Sequence, residues 1–399
     1  MSDGLSGWQE YHLNEIYTFA SGLSKSRDQF GFGFPFLSFK DVFNNFFLPK
    51  KLGNLANTSI KERLQCSIKK GDVFLTRTSE TQEELGMSSV ALIDYPEATF
   101  NGFTKRLRPI GHIDVWPEYT GYYFRSPYFR ATVTSMSSMT TRASLNNDMM
   151  SALKIMVPPL PEQKAIANIL SSLDDKIDLL HRQNKTLESM AETLFRQWFL
   201  EEAQDVCEEY SVSDFADHVK ENVVPAKSKS EYYHHYSLPA FDDGKRPNLE
   251  LGSEILSNKY KVVEYSILVS KLNPKVPRIW PVSSLPSKNS ICSTEFQVLR
   301  PKNIKLYGYL LFLLRSNDAV DALSMAASGT SGSHQRVRPE DIFNIKTSLP
   351  SLARAEQYSN MVMPGIAKTC SNLLQINILE ILRDTLLPKL MSGEVTVIN

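Results

Sequence analysis

Cysteine is scarce in this 399-residue chain. Its four cysteines, Cys66, Cys207, Cys292 and Cys370, lie far apart and include no C-x-x-C pair. Structural zinc sites and disulfide frameworks both need cysteines at characteristic spacings, so the sequence indicates neither. We predict reduced, buried thiols.

A long apolar run is also lacking. The longest apolar stretch, around Leu306 to Leu314, is much shorter than the roughly 20 residues that a membrane-spanning helix needs. The N-terminus, Met1 to Glu10, is polar and acidic and has no apolar signal-peptide region. These absences predict a cytoplasmic protein.

Neither sign of charge is in excess, because 44 Lys and Arg balance 44 Asp and Glu. A net charge of zero argues against a simple electrostatic coat for nucleic acid. The composition, 42% hydrophobic and 22% charged, is ordinary for a soluble globular protein, and the length suggests two to three domains.

Recognisable catalytic motifs are lacking as well. The glycines of Phe30-Gly31-Phe32-Gly33-Phe34 fit neither a dinucleotide-binding motif nor a P-loop, and an aromatic strand or turn is the simpler interpretation. The pair His234-His235 has no acidic or cysteine partner at ligand spacing, which favours a structural or solvent-facing role over metal binding. We therefore expect any catalysis to belong to a partner.

What the chain does contain is an internal repeat. The tripeptide Leu107-Arg108-Pro109 recurs 192 residues further on as Leu299-Arg300-Pro301, and residues 71–77 resemble residues 264–270 in pattern. Chance similarity of apolar patterns is the alternative, but the matching residues keep the same order throughout. A duplicated architecture is therefore predicted.

Each half ends in a long helical segment. The first, from Glu162 to about Glu201, carries a seam with alternating steps of four and three residues, typical of a coiled coil roughly 60 Å long. The seam residues are Ile166, Leu170, Leu173, Ile177, Leu180, Asn184, Leu187, Ala191, Leu194 and Trp198. Asn184 either sets the register or is solvated.

The second helical segment runs from about Ala353 to Leu387 and is the expected partner of the first. Pro364-Gly365 should kink or interrupt it near its start. Short apolar runs separated by turn residues predict an α+β fold for the two globular blocks. The resulting segments are residues 1–158, 159–203, 204–350 and 351–399.

Polar loops recur at equivalent places of the two halves. Residues 76–81 follow an apolar run, and residues 137–144 of the first half correspond to residues 328–338 of the second. Hydroxyl side chains and glycine amides suit phosphate contacts, and Arg and Gln can contact base edges. Solvated loops are the alternative, although the recurrence favours DNA binding.

The chain resembles the specificity subunits of type I restriction-modification systems. The resemblance rests on Pro159-Leu160-Pro161-Glu162-Gln163 opening the first helix, Leu173-Asp174-Asp175-Lys176-Ile177 within it, and the tail from Leu386 to Val395. It spans the whole chain, although the globular blocks match in layout only. The second helix departs from the pattern at residues 349–353 and at Pro364-Gly365.

The resemblance implies two target recognition domains and two antiparallel coiled-coil spacer helices, arranged as a pseudo-twofold repeat. Each domain would read one half of a bipartite DNA site, and helix length would set the gap. Two modification (methyltransferase) subunits and two restriction subunits would bind this non-catalytic chain. S-adenosylmethionine, ATP and Mg are expected in those partners, and no cofactor is expected here.

Polar residues in the loops and neighbouring strands are the predicted DNA contacts. They are Arg77, Thr78, Ser79, Lys105, Arg106, Thr141 and Arg142 in the first domain and Lys271, Asn273, Thr330, Ser331, His334, Gln335 and Arg336 in the second. Partner docking is expected around Arg182, Lys185 and Arg196, with ordinary solvated helix charges as the alternative.

Two other function classes stay open from the sequence. One is a DNA-independent scaffold or adaptor built from duplicated domains. The other is a methyltransferase or endonuclease chain whose motifs are unrecognised. Specific duplex binding together with the modification partner would exclude the scaffold, and a methyl-transfer assay on the isolated chain would test the enzyme.

Overall fold

The structure is a computed structural model that describes residues 7–79, 81, 84–136, 143–202, 207–327 and 335–397. The chain forms two compact units. Unit 1 comprises Met1–Ile177 and Leu379–Asn399, and unit 2 comprises Asp178–Ile378. Each unit therefore contains one globular block and parts of both long helices.

Unit 1 alternates short strands with short helices. The strands are β1 Gln9–His12, β2 Tyr17–Ser21, β3 Phe30–Leu37, β4 Asn54–Ala56, β5 Val73–Thr76, β6 Thr78–Ser79, β7 Ser88–Val90, β8 Thr99–Phe100, β9 Thr104–Pro109, β10 Ala143–Ser144 and β11 Lys154–Val157. The helices are α1 Leu13–Ile16, α2 Phe39–Asn44, α3 Ile60–Gln65, α4 Pro117–Tyr123, α5 Pro127–Met136 and α6 Asn147–Ala152.

The main sheet of unit 1 has the antiparallel order β2-β9-β5-β7 and separates two apolar cores. Side chains on a strand alternate between its faces, and strand β5 follows this rule. Val73 and Leu75 lie in one core, whereas Phe74 lies in the other. A second sheet has the order β4-β3-β8, and β1 pairs with β11.

The long helix α7, Leu160–Arg196, leads into unit 2 and is continued by a π-helical turn at Gln197–Glu201. The strands of unit 2 are β12 Glu208–Ser211, β13 Ala216–Val219, β14 Asn222–Val223, β15 Tyr232–Tyr236, β16 Asn248–Leu251, β17 Lys259–Lys261, β18 Ser266–Ser270, β19 Ile279–Val282, β20 Ser290–Ser293, β21 Phe296–Pro301 and β22 Lys346–Leu349. Its short helices are α8 Val212–Phe215, α9 Leu238–Asp242, α10 Tyr307–Arg315, α11 Asn317–Ala326 and α12 Pro339–Phe343.

Unit 2 repeats the topology of unit 1. Its sheet β13-β21-β18-β19 has the same order as β2-β9-β5-β7, and β15 is parallel to β20 as β3 is to β8. Val73 pairs with Leu107, whereas Ile267 pairs with Leu299. The predicted duplication is confirmed. These pairs match Val73 to Ile267 rather than to Ser266, so the predicted alignment of residues 71–77 with residues 264–270 was off by one position.

Helix α13, Leu352–Met391, is 40 residues long and passes through Pro364. The prediction that Pro364-Gly365 interrupts this helix is wrong. An interior proline costs a helix about 3 kcal/mol. Val362 and Ile366, on either side of it, are buried in the core of unit 2, and burying each such side chain contributes about 1.5–3 kcal/mol. Tertiary packing therefore outweighs the local penalty.

The two long helices pack against each other in antiparallel register within each unit. In unit 1, Arg383 Nη1 donates to Asp174 Oδ1 at 2.8 Å. In unit 2, Tyr358 Oη donates to the Ala191 carbonyl at 2.8 Å. Asn184 lies in the seam, since Asn372 Nδ2 donates to its Oδ1 at 2.7 Å.

The four cysteines are thiols rather than disulfides, but not all are buried. Cys66 and Cys292 are buried and Cys370 is half-buried, whereas Cys207 is exposed. The prediction of a buried thiol is therefore wrong for Cys207, which lies at the edge of the segment that leads into β12. Among the described helices, none combines the length and apolar character that crossing a membrane requires.

Gln163 joins the first turn of α7 to the globular block of unit 1. Its Oε1 accepts the Trp116 N–H at 2.7 Å, and its Nε2 donates to the carbonyls of Asp114 and Pro158 at 2.9 and 2.8 Å. The residue is buried. The predicted helix-opening motif is thus also a hydrogen-bonded anchor.

We expect Gln163→Ala to destabilise the protein by about 1–3 kcal/mol, because it leaves buried backbone groups without partners. The midpoint of urea unfolding measures this. Gln357→Ala is the control, since it removes the same side chain from an exposed position in the first turns of α13. Similar losses in both variants would contradict the anchoring role.

Candidate functional site

In unit 1 the predicted contact residues of the first polar loop lie where strand β5 ends. The Arg77 N–H donates to the Phe103 carbonyl at 2.9 Å, and the Arg77 carbonyl accepts the Leu145 N–H at 2.8 Å. Thr78 and Ser79 pair with β10. We call Arg77, Phe103 and Leu145 the unit 1 loop site.

Unit 2 contains the same arrangement where β18 ends. The Lys271 N–H donates to the Glu295 carbonyl at 2.8 Å, and the Lys271 carbonyl accepts the Val337 N–H at 3.0 Å. We call Lys271, Glu295 and Val337 the unit 2 loop site. The Asn273 N–H donates to the Gln335 carbonyl at 2.9 Å, so these two predicted residues lie beside it.

The two loop sites share a backbone frame but present different side chains. Arg77 corresponds to Lys271, and Leu145 and Val337 are buried at equivalent places. Phe103 corresponds to Glu295, so unit 1 carries an apolar side chain at the position where unit 2 carries an acidic one. Main-chain hydrogen bonds hold both frames, which leaves the side chains free to differ.

Arg336 is held in place at the unit 2 loop site. Its Nε and Nη2 donate to the two carboxylate oxygens of Glu295 at 3.2 and 3.1 Å. This hydrogen bonding raises the pKa of Arg336, which therefore stays charged. The fork geometry fixes the direction of an otherwise flexible, half-exposed side chain.

Phe103 and Glu295 were not predicted from the sequence. Phe103 lies in the turn before β9, and Glu295 lies in the turn before β21, which are equivalent inner strands of the two main sheets. The two residues are 192 positions apart, as are Leu107 and Leu299. That offset was the available signal. The turn was missed because the predicted DNA contacts were chosen from polar loops, whereas the turn of unit 1 carries an exposed phenylalanine.

Lys105 and Arg106 are not at the surface, and both are only 8% exposed. Strand β9 is an inner strand of the main sheet, and the elements packed on the two faces of that sheet cover its side chains. Lys105 Nζ donates to Ser21 Oγ and Asn147 Oδ1 at 2.8 and 2.9 Å, and burial lowers its pKa. Arg106 Nη1 donates to the Ser67 carbonyl at 2.6 Å. We therefore withdraw both as DNA contacts.

Ser79 is also engaged within the protein, since its Oγ donates to Glu84 Oε2 at 2.6 Å. The remaining loop predictions lie outside the described residues. These are Thr141, Arg142, Thr330, Ser331 and His334. Their segments immediately precede β10 in unit 1 and Gln335 in unit 2.

The residues predicted for partner docking are exposed on α7. Arg182 Nε lies 2.8 Å from Asp178 Oδ2, and Arg196 Nε lies 3.1 Å from Glu201 Oε1. Lys185 is exposed between them. Surface ion pairs contribute only about 0–1 kcal/mol, so these pairs leave the cations accessible to a partner.

Helix α13 carries an exposed apolar stripe that was not predicted. Leu374, Ile378 and Ile381 are 58 to 65% exposed, and their spacing of four and three residues places them on one helix face. The buried seam of the same helix runs through Asn372 and Ile376. An exposed apolar stripe of this kind is typical of a protein interaction surface.

The adjacent histidines of unit 2 have ordinary polar partners. His234 Nδ1 lies 3.0 Å from Ser287 Oγ, and His235 Nδ1 lies 2.9 Å from Glu250 Oε2. Within the described part of the chain, no group of three or more His, Cys, Asp or Glu is placed to hold a metal ion. These contacts fit the structural interpretation of the pair.

Three comparisons relate the chain to known proteins. Residues 5–189 match the family described as the type I restriction modification DNA specificity domain. The type I restriction enzyme MjaIX specificity subunit of Methanocaldococcus jannaschii is 25% identical over 427 residues, covering 98% of this chain and 94% of that protein. The HindI specificity subunit of Haemophilus influenzae is 28% identical over 204 residues, covering 49% of this chain and 42% of that protein.

The fold also resembles a solved structure. The crystal structure of a type I restriction-modification S subunit from M. genitalium superimposes with a TM-score of 0.62, covering 96% of each chain at 13% identity. At that identity the likeness concerns the fold alone. The α+β class with two long helices is thereby confirmed.

Histidine burial predicts a pH dependence of stability. Burial lowers the pKa of His218, His234 and His235 from the ordinary value of 6.5, and for His235 burial outweighs the opposing effect of Glu250. Below about pH 6.5 these histidines therefore bind more protons in the unfolded chain than in the folded one.

We accordingly expect the melting temperature to fall as the pH drops below about 6.5 and to level off above it. His235→Asn should reduce the size of that fall. Melting curves from pH 5 to pH 8 measure both effects. A flat profile, or the same profile in the variant, would contradict this account.

Proposed function

We propose that the chain is a specificity subunit of a type I restriction-modification system and that each of its units reads one half of a bipartite DNA site. It is the non-catalytic subunit of such a complex. The observation that supports the proposal most is the pair of loop sites, which share a backbone frame and differ in side chains.

The side chains at the loop sites suit DNA recognition. Arg77 and Lys271 can neutralise phosphates, which position a protein on DNA without reading sequence. Arg336, oriented by Glu295, can donate two hydrogen bonds to the O6 and N7 of a guanine, and Gln335 can pair with an adenine. Different side chains on one frame would give two different half-sites.

The long helices are the proposed determinants of the gap between the half-sites. Helix α7 has 37 residues and α13 has 40, which correspond to roughly 55 and 60 Å. One turn of B-DNA spans about 34 Å. Helices of this length would therefore suit a gap of non-specific base pairs between two recognised segments.

The partners are DNA and the modification and restriction subunits, and we propose two copies of each subunit. The stripe of Leu374, Ile378 and Ile381 is the proposed docking surface for a modification subunit, with Arg182, Lys185 and Arg196 contributing charge. S-adenosylmethionine, ATP and Mg would be held by those partners. Action on chromosomal DNA would place the complex in the cytoplasm.

Arg336→Ala should relax recognition at one base pair of the second half-site, because a bidentate contact to guanine is worth about 1–3 kcal/mol of discrimination. Single-molecule sequencing of methylated adenines in cells producing the complex measures the change. Arg300→Ala is the control, since Arg300 is exposed at the other end of β21. An unchanged methylation pattern in Arg336→Ala would contradict the proposed role of Arg336 in base recognition.

Ile378→Glu should weaken assembly with the modification subunit at least tenfold, because it puts a charge into the apolar docking stripe. Titration of the purified modification subunit, followed by analytical ultracentrifugation, measures the affinity. Leu256→Glu supplies the control, as Leu256 is 89% exposed on unit 2 outside both long helices. Equal effects of the two substitutions would argue against the stripe as the docking surface.

A further inference from the structure

Phe103 combines an exposed side chain with a fixed backbone. Its side chain is 62% exposed. Its N–H donates to Asn101 Oδ1 at 2.9 Å, and its carbonyl accepts the Arg77 N–H at 2.9 Å. Both backbone polar groups are therefore satisfied, and the ring projects from a defined place beside Arg77.

The turn that carries Phe103 is anchored on both sides. Asn101 is buried, and its Nδ2 donates to the Leu37 carbonyl at 3.1 Å. The Gly102 N–H donates to the Leu23 carbonyl at 2.7 Å, and a Cβ at this glycine would lie 2.6 Å from Ser24 Oγ. A ring on such a turn is already ordered, so contact with a ligand would lose little backbone entropy.

The chemistry of the ring limits what it can recognise. Burying a phenylalanine stabilises a folded protein, so a ring displayed to water on a rigid turn forgoes that stabilisation in the free protein. Glu295 occupies the equivalent place in unit 2 and orients Arg336 toward polar recognition. In the major groove, the apolar group on a base edge is the C5-methyl of thymine.

We propose that Phe103 is a specificity-determining residue of unit 1 that packs on the C5-methyl group of a thymine in the half-site read by that unit. The inference rests on the proposed function and names the chemistry of one of its contacts. Arg77, whose N–H fixes the Phe103 carbonyl, would bind the neighbouring backbone phosphate.

The test uses the complex of the full chain with its modification subunit, after methylation mapping has given the recognised site. Each thymine of the unit 1 half-site is replaced in turn by deoxyuridine, which removes only the C5-methyl. One replacement should weaken binding by the wild type about fourfold, the equivalent of about 0.8 kcal/mol for a buried methyl. Phe103→Ala should bind both duplexes equally.

Phe32→Ala is the matched control. Phe32 is a 50% exposed phenylalanine of the same unit. It precedes the stretch of β3 that pairs with β8, whereas Phe103 follows the end of β8. This variant should keep the fourfold difference. Phe103→Leu should retain part of it, and melting curves check that all variants are folded.

Other results would overturn the inference. These are a wild type insensitive to deoxyuridine at every thymine, or a Phe103→Ala variant that keeps the fourfold difference. Weaker binding by Phe103→Ala, together with a wild type that binds the thymine and deoxyuridine duplexes equally, would instead indicate a wedge between bases and would also overturn it. In all three cases specific binding of the unmodified duplex preserves the proposed function, whereas its absence in the wild type rejects both.

Discussion

The apolar seams of α7 and α13 must leave water, and the rest of the structure depends on how each unit buries them. In unit 1, Ile166 and Leu170 share a core with Leu387 and with the tyrosines of α4. In unit 2, Phe195 and Tyr358 share a core with α10. Each globular block thus completes its core with side chains from both long helices. Packing, rather than a flexible linker, therefore fixes the orientation of a block on its own helix segments.

Each loop site has a backbone that is fixed independently of its exposed side chains, which explains how the two units can present different side chains. Each loop site is fixed by main-chain hydrogen bonds and by a buried apolar residue, Leu145 or Val337. These interactions do not depend on the side chain at the neighbouring turn, so Phe103 in one unit and Glu295 in the other are accommodated equally. The frame is retained in both units, and under the proposed function the exposed side chains would vary with the DNA half-site.

Helix α7 and the duplication were predictable from the sequence, because a seam of ten residues and a repeated tripeptide are strong periodic signals. Finer features depended on tertiary context. Burial of Val362 and Ile366 overrides the local effect of Pro364, which no helix rule reveals. Arg77 was matched to Ser270 rather than Lys271, because the strand pairing that sets the register is non-local.

The charged residues show why composition was a poor guide to the binding surface. Besides Lys105 and Arg106, Arg125 is enclosed and donates to four backbone carbonyls, and Arg108 pairs with the fully buried Asp72. Such groups hold the sheets and loops together and contribute little to attraction of DNA. Some of the 44 basic and 44 acidic residues therefore act inside the fold rather than on a binding surface. Under the proposed function, recognition would depend on a few cations at the loop sites, so zero net charge is compatible with sequence-specific DNA binding.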